Sequence, residues 1–412
     1  MPAQQRTKAQ VSIWITRSHL PRIGTAATVD LLKQLIRIPS VNPAIEDGEG
    51  EERIATFIAA GLRKARLFHV SEQKVEKHRF NVLATLAGKH EGPSLMLNGH
   101  MDTVGTLGMK VKPYAPLVRM GRVYGRGSCD MKAALAAMMS AMVALAKSRN
   151  KLAGDVTFTA VVDEEHLSVG TTELIRRCRT DAAIVGEPTT MNIAIAHKGY
   201  AWLEIETIGR RAHGSVPEQG VDAIEKTAQI ILQPESVRKR YRLKKHPLVG
   251  NPGIHASTIV GGSEWSTVPA GCLLRVERRL IPGENAQVAV NELKKVIEDC
   301  ARRDKSLRAR VRLVHHADSM EVREAPHMQV LRGHARRLGG NAKLVGVPYW
   351  TDAAILVNQA KIPTCIFGPG DIRLAHSPNE YVRLKDVTIA ARVYAETAQT
   401  YCSKNSVSDS DV

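Results

Sequence analysis

The chain has 412 residues, 43% hydrophobic and 24% charged, which reads as a soluble globular protein too long for one ordinary domain and comfortable for two. No apolar run reaches the roughly 20 residues that a membrane helix needs, so no membrane partner is expected. The net charge of +17 could attract nucleic acid, but its densest stretch, "VRKRYRLKKH" at 237–246, has one aromatic and no accompanying nucleic-acid-binding motif. It reads as a solvated basic helix end or loop.

The first 29 residues carry Arg6, Lys8, Arg17 and Arg22 and no acid before Asp30, so 1–27 is expected to be a weakly ordered basic arm. Leu31, Leu32, Leu35 and Ile36 then recur at helical spacing, and Pro39 ends that helix. A second amphipathic helix is predicted from about Glu51 to Ala65. Strand-like runs follow in "NVLATLAG" and "SLMLNGH", then the Ala-rich buried helix "MKAALAAMMSAMVALAKS". "DVTFTAVV" and "AAIVGE" are again short apolar strands. Strands alternating with helices predict an α/β domain with a mostly parallel central sheet covered on both faces.

The texture changes after "IAIAHKG". "YAWLEIETIGR" alternates like a half-exposed strand, a helix is expected from Val221, and "HASTIVGG" and "CLLRVERRL" read as strands. The amphipathic "AVNELKKVIEDCARR" and the strand "ARVRLVHH" complete a β–α–β–β–α–β order that suits a small open-faced, ferredoxin-like sandwich. The economical organisation is a main α/β domain of 28–197 and 314–403, with a smaller α+β domain, 198–313, inserted. The polar tail 404–412 is expected to be disordered. The six cysteines are scattered, without a CxxC, which suggests a reducing, cytoplasmic setting.

Acids and histidines stand where predicted strands end. His100 follows "LMLNG", with Asp102 two residues on. Asp130 lies in "GRGSCDMK" before the Ala-rich helix, Glu164 and Glu165 in "VVDEEH", Glu187 in "IVGEPT", and His376 after "IFGPG". In open α/β sheets ligands bind at the carboxyl ends of strands. Ionisable groups gathered there repel one another or stay desolvated unless a positive charge joins them. Two histidines and three carboxylates suit Zn²⁺, with Mn²⁺ or Co²⁺ as alternatives, and one carboxylate can bridge two ions. Each element alone is weak, because a histidine after a strand is commonly a core or loop residue and a Glu pair is commonly surface charge. Their ordered combination carries the argument.

The ordered series "GHMDTV", "GRGSCDMK", "DEEHLSVG", "GEPT", "AHGS" and "AHSPNE" resembles the co-catalytic di-zinc metallopeptidase and amidohydrolase family. That family includes acetylornithine deacetylase, succinyl-diaminopimelate desuccinylase, aminoacylase and glutamate carboxypeptidase. The resemblance runs from about Thr28 to Cys402. It implies that His100 and Glu187 hold one divalent ion, Glu165 and His376 the other, and that Asp130 bridges both across a cis peptide to Met131. It makes Asp102 the carboxylate that orients His100, and Glu164 the general base for a metal-bridging water. His213 would meet the developing oxyanion in the partner subunit's site, so a homodimer through the inserted domain is implied.

The implied reaction is hydrolysis of the amide of an N-acyl amino acid or dipeptide-like substrate. Its carboxylate would be clamped by Arg279 of "ERRLIPGE", with Arg278 as the competing assignment. Gly368, Pro369 and Gly370 would shape the backbone near the substrate. Asp352 would contact a substrate amine or cap a helix. Ser266, in "SEWSTVPAGC", stands where desuccinylases of the family usually carry an asparagine, which puts diaminopimelate specificity in doubt. The "STVP" and "ERRLIPGE" segments lean towards an acetylornithine deacetylase-like deacylase. A carboxypeptidase or dipeptidase using the same ions is the alternative. A binding protein that kept only the fold is opposed by the intact Glu164, the five ligand positions and His213.

Overall fold

A computed structural model describes residues 20–148, 151–232, 239 and 241–403. Residues 1–19 of the basic arm, the tail 404–412, and 237, 238 and 240 of the basic stretch lie outside the described residues. The first helix, Thr25–Arg37, starts within the segment read as an arm. Contacts divide the chain into two compact units: one comprises the described residues up to Ile193, Glu324–Lys343 and those from Ile366 onward, the other Ala194–Arg323 and Leu344–Cys365.

In the first unit the strands β1 (His69–Glu76), β2 (Arg79–Leu86), β3 (Leu95–His100), β4 (Val156–Val161) and β5 (Ala182–Val185) lie in the order β1-β2-β4-β3-β5. β3 runs parallel to both β4 and β5, and the antiparallel pair β1–β2 continues the sheet on the β4 side. Every residue of β3, β4 and β5 is buried, which explains their unbroken apolar runs: both faces are covered, so nothing selects for alternation. The helix Lys132–Ala146 is buried on nearly all sides, packed against Thr25–Arg37, Leu384–Tyr401 and the sheet. Its alanines keep it thin enough for that place. The α/β class with a largely parallel central sheet, expected from the sequence, is the class observed.

Register sets the heights of the strand ends. His100 pairs with Val161, and Asn98 with Val185, so His100 and Glu187 stand level, with Glu164 three residues beyond the end of β4. A separate three-stranded sheet pairs Tyr381–Arg383 with Arg122–Tyr124 and the latter with Leu117–Arg119, which draws the His376–Glu380 segment beside "GRGSCD".

The second unit holds β6 (Gly199–Ile208), β7 (Gly253–Gly261), β8 (Gly271–Leu280) and β9 (Arg308–Ala317), antiparallel in the order β7-β8-β6-β9. The helices Ala223–Leu232 and Ala286–Arg303 complete the expected β–α–β–β–α–β order. Alternate residues of β6 and β8 are buried against these helices, with Leu203, Ile205, Leu274, Val276, Leu293 and Ile297 in the shared core. Asn285 starts the second helix by accepting a hydrogen bond from the Val288 N–H.

Two glycines let the Ala-rich helix close onto the strand ends. A Cβ at Gly186 would lie 2.8 Å from Ala134 Cβ and 2.6 Å from Met131 Cε, and one at Gly99 would lie 2.5 Å from Met131 Cε. Gly186→Val is therefore expected to lower unfolding stability by about 1–3 kcal/mol through overpacking. Denaturant unfolding monitored by circular dichroism checks this, and an unchanged midpoint would refute the close approach.

Candidate metal centre

His100 ends β3 and is 2% exposed. Its Nδ1 lies 3.0 Å from the main-chain oxygen of Asp102 and 3.4 Å from the Asp102 carboxylate. Both are acceptors, so Nδ1 carries a proton, and it is Nε2 that would present its lone pair to the other side once the ring is neutral. There it meets Asp130 Oδ1 at 3.0 Å and Glu187 Oε1 at 3.5 Å. His376, in left-handed backbone geometry, turns its Nε2 to Glu165 Oε1 at 3.1 Å and Asp130 Oδ2 at 3.5 Å. The two oxygens of one buried carboxylate thus face two different imidazoles. Ligand atoms of His100, Glu164 and Glu187, and of His100, Asp130 and Glu165, lie within 4.8 Å of one another in each group.

Six of the residues singled out in the sequence are therefore brought together, and Asp102 stands directly behind them. It is fully buried, and its carboxylate accepts the N–H groups of Glu164 (3.2 Å) and Glu165 (3.0 Å) as well as facing His100. The peptide Asp130–Met131 is cis, as the resemblance implies.

The electrostatics show what this cluster lacks. Burial would depress the His100 imidazole, yet Glu187, Asp102 and Asp130 outweigh it and raise its pKa well above the usual 6.5. His376 is raised to about 11 in the same way, burial being overcome by its bonds to Asp130 and Glu165. Glu187 and Glu165 are pushed upward by burial and by the charge of Asp130. The carboxylates favour protons on the imidazoles, and burial makes the glutamates resist ionisation. A donor set of imidazole Nε2 and carboxylate oxygen, with one carboxylate aimed both ways, fits a pair of divalent ions.

Sequence reasoning left Glu380, the last residue of "AHSPNE", without a role. It is fully buried, and it accepts the N–H groups of Gly127 (3.0 Å), Cys129 (2.8 Å) and Asp130 (3.1 Å) while pairing with Arg126 at 2.7 Å. It moulds the loop that presents Asp130. The available signal was an acid four residues after His376. Gly368 lies where a Cβ would be 2.2 Å from the Gly186 carbonyl oxygen and 2.5 Å from that of Glu187, so it supports the Glu187 segment from behind. Gly370, at φ +101°, abuts Cys129 Sγ in the same manner.

The remaining residues belong to the second unit. His213 pairs with Thr267 in a two-residue ladder, and its Nδ1 lies 2.7 Å from Ser215 Oγ and 3.2 Å from the Ser215 nitrogen. The Ser266 carbonyl accepts the Gly214 N–H at 2.7 Å, so these two segments adjoin. Arg278 is fully buried, bonded to Tyr241, Glu284 and Glu292. Arg279 points to the opposite face, its side chain 35% exposed over the Tyr200 ring, with Nε on Glu277 at 2.6 Å. Asp352 is buried at the N-cap position of Ala353–Asn358 but makes no capping hydrogen bond; Thr351 Oγ1 accepts the Ala353 N–H instead.

The model of peptidase family M20/M25/M40 matches residues 96–400. The chain belongs to this family. It is a hydrolase of amide bonds. This M20 chain is 28% identical over 390 residues to an acetylornithine deacetylase from Photorhabdus laumondii, covering 92% of this chain and 98% of that one. Its fold is similar to that of a Staphylococcus aureus tripeptidase, with a TM-score of 0.77 at 22% identity, covering 93% of this chain and 100% of the other. A Bacillus subtilis protein described as a dinuclear metal binding M20 peptidase matches with a TM-score of 0.69 at 17% identity, over 91% and 97% of the two chains. Among the described residues of the M20 chain, no helix is long and apolar enough to cross a membrane.

Because His100 and His376 titrate above neutrality without metal, ligation at neutral pH must displace their protons. Zn²⁺ titrated into chelator-stripped protein is expected to release protons, and affinity should rise with pH towards about 11, where His376 loses its proton unaided. Calorimetry in buffers of different ionisation enthalpy measures this. Heats independent of the buffer would show that the imidazoles are already neutral.

Proposed function

We propose that this M20 chain is a two-metal deacylase that hydrolyses the amide bond of an N-acyl amino acid. The observation that carries this reading is Asp130, whose two oxygens face His100 and His376 separately. In it, His100 and Glu187 hold one ion, Glu165 and His376 the other, and Asp130 both. Zn²⁺ is favoured by the mixed imidazole and carboxylate set, and Co²⁺ or Mn²⁺ fit the same donors. Such ions lower the pKa of water and polarise a carbonyl when bound.

The chain's own residues do the rest. Glu164 follows Asp163 on a segment pinned through its N–H to Asp102, and neighbouring Glu165 is engaged with His376. Glu165 is committed to His376, while the Glu164 carboxylate stands beside His100 and Glu187, placed to take a proton from the attacking water and deliver it to the leaving nitrogen. His213, its Nδ1 engaged by Ser215, offers Nε2 as the donor to the oxyanion. Arg279 serves the substrate carboxylate, because Arg278 is committed to Glu284 and Glu292. A homodimer through the second unit and a cytoplasmic setting complete the reading. The name of the Photorhabdus relative supports N-acetylornithine as the first substrate to try, and the tripeptidase fold neighbour keeps unblocked peptides in the comparison.

Metal-stripped protein reloaded with Zn²⁺, Mn²⁺ or Co²⁺ is to be assayed for amine release from N-acetylornithine, N-succinyl-diaminopimelate, N-acetylmethionine and a C-terminal glutamate dipeptide. Metal-dependent release is expected from an N-acyl amino acid. Glu164→Gln should lower kcat by about 10²–10⁴-fold with both ions retained. Much faster cleavage of the free dipeptide would move the protein to the peptidase branch. Arg279→Ala should raise KM for substrates with a free carboxylate and leave the melting temperature nearly unchanged. Arg278→Ala should instead lower the melting temperature, since it takes one cationic partner from the buried Glu284 and leaves a cavity where Arg278 was sealed.

A further inference from the structure

The Glu164–Glu165 segment is held by residues outside the ligand cluster. Asp163, which precedes it, has φ of 72°, a left-handed conformation that few residues other than Gly adopt. Its side chain accepts the N–H groups of Leu167 (3.2 Å) and Val169 (3.3 Å), and its own N–H is bound by Glu51 Oε1 at 3.1 Å. Arg79 joins Asp163 (2.8 Å) to Glu51 (2.6 Å). Asp102, on the other side, holds His100 and accepts the N–H groups of both glutamates.

One side chain touches both carboxylates. Asn42 Nδ2 donates to Asp102 Oδ2 at 2.8 Å and to Asp163 Oδ1 at 3.0 Å. Asn42, Asp102 and Asp163 are all buried. The amide cannot turn away. The Ala44 N–H donates to its Oδ1 at 3.0 Å, which aims Nδ2 at the two acids. Its backbone is fastened beside the end of β3: Asn42 N–H to Thr103 O (3.0 Å), Thr103 N–H to Ser40 O (2.9 Å) and Ser40 Oγ to Met101 O (2.8 Å). Lys132 Nζ, at the start of the Ala-rich helix, donates to Ile38 O at 2.8 Å and anchors the same segment.

We propose that Asn42 is the positioning residue that couples the two halves of the metal centre, tying Asp102, which orients His100, to Asp163, which shapes the segment carrying Glu164 and Glu165. Without its amide, Asp102 and Asp163 lose the donor they share, so the Asp163 loop, still held by Arg79 and Glu51, is no longer tied through Asn42 to the end of β3. Loss of Asn42 then misplaces Glu165 and Glu164 while His100 keeps its contact with the Asp102 main chain. The inference rests on the two-ion reading above, and its test separates the two.

The test titrates Co²⁺ alone into metal-stripped full-length wild type, Asn42→Ala and Asn42→Asp, followed by calorimetry and cobalt absorption, with kcat and KM on the best substrate of the panel. Asn42→Asp keeps the size and replaces the donor by an acceptor. Wild type is expected to take up two ions. Both variants should bind the first ion normally and the second about 10–100-fold more weakly, with kcat reduced by a similar factor and KM little changed. Asn42→Asp should be at least as impaired as Asn42→Ala. If both variants load Co²⁺ and turn over like wild type, whatever their melting temperatures, Asn42 is structural only and the proposal is wrong. Wild type taking up fewer than two ions would sink the two-ion reading and the coupling with it. Should either variant not fold, Asn42→Ser, which keeps one short donor, is measured in the same way.

Discussion

Like charges gathered in a buried place need a counter-charge, and this requirement organises the first unit. Asp130, Glu165 and Glu187 are almost withdrawn from water, within reach of two imidazoles that cannot both satisfy them as neutral rings. Protons on the imidazoles are one answer and a pair of divalent cations is the other.

Around that cluster the chain spends further carboxylates on its own backbone. Asp102 accepts the N–H groups of Glu164 and Glu165, and Glu380 those of Gly127, Cys129 and Asp130. An ionised carboxylate binding several main-chain donors is a strong, directional clamp. The loops that carry Glu164, Glu165 and Asp130 are thereby held by bonds to their own main chain. The glycines at 186 and 368 contribute in the opposite manner, by being small where backbones must meet.

The second unit shows how strand alternation separates adjacent residues of one charge. Arg278 and Arg279 are neighbours on β8, yet one is sealed among Tyr241, Glu284 and Glu292 while the other lies half-open above Tyr200. The first holds the unit's core together and the second keeps a guanidinium face for other chemistry.

Much of this was legible in the chain. Apolar runs ending on acids and histidines marked the strand ends, and the shift from unbroken to alternating runs marked the change of texture after residue 197. These are local properties, fixed by the period of a strand and by what tolerates burial. Sequence could not say which arginine of "ERR" is buried, since alternation gives opposite faces without saying which is the core. Nor could it find Asn42 and Glu380, whose roles depend on atoms some 60 and 250 residues away in the chain. Hydrogen bonds between distant segments leave no period to read, and only the packing of β3, the Asp163 loop and the "GRGSCD" loop decided that those two side chains hold the site together.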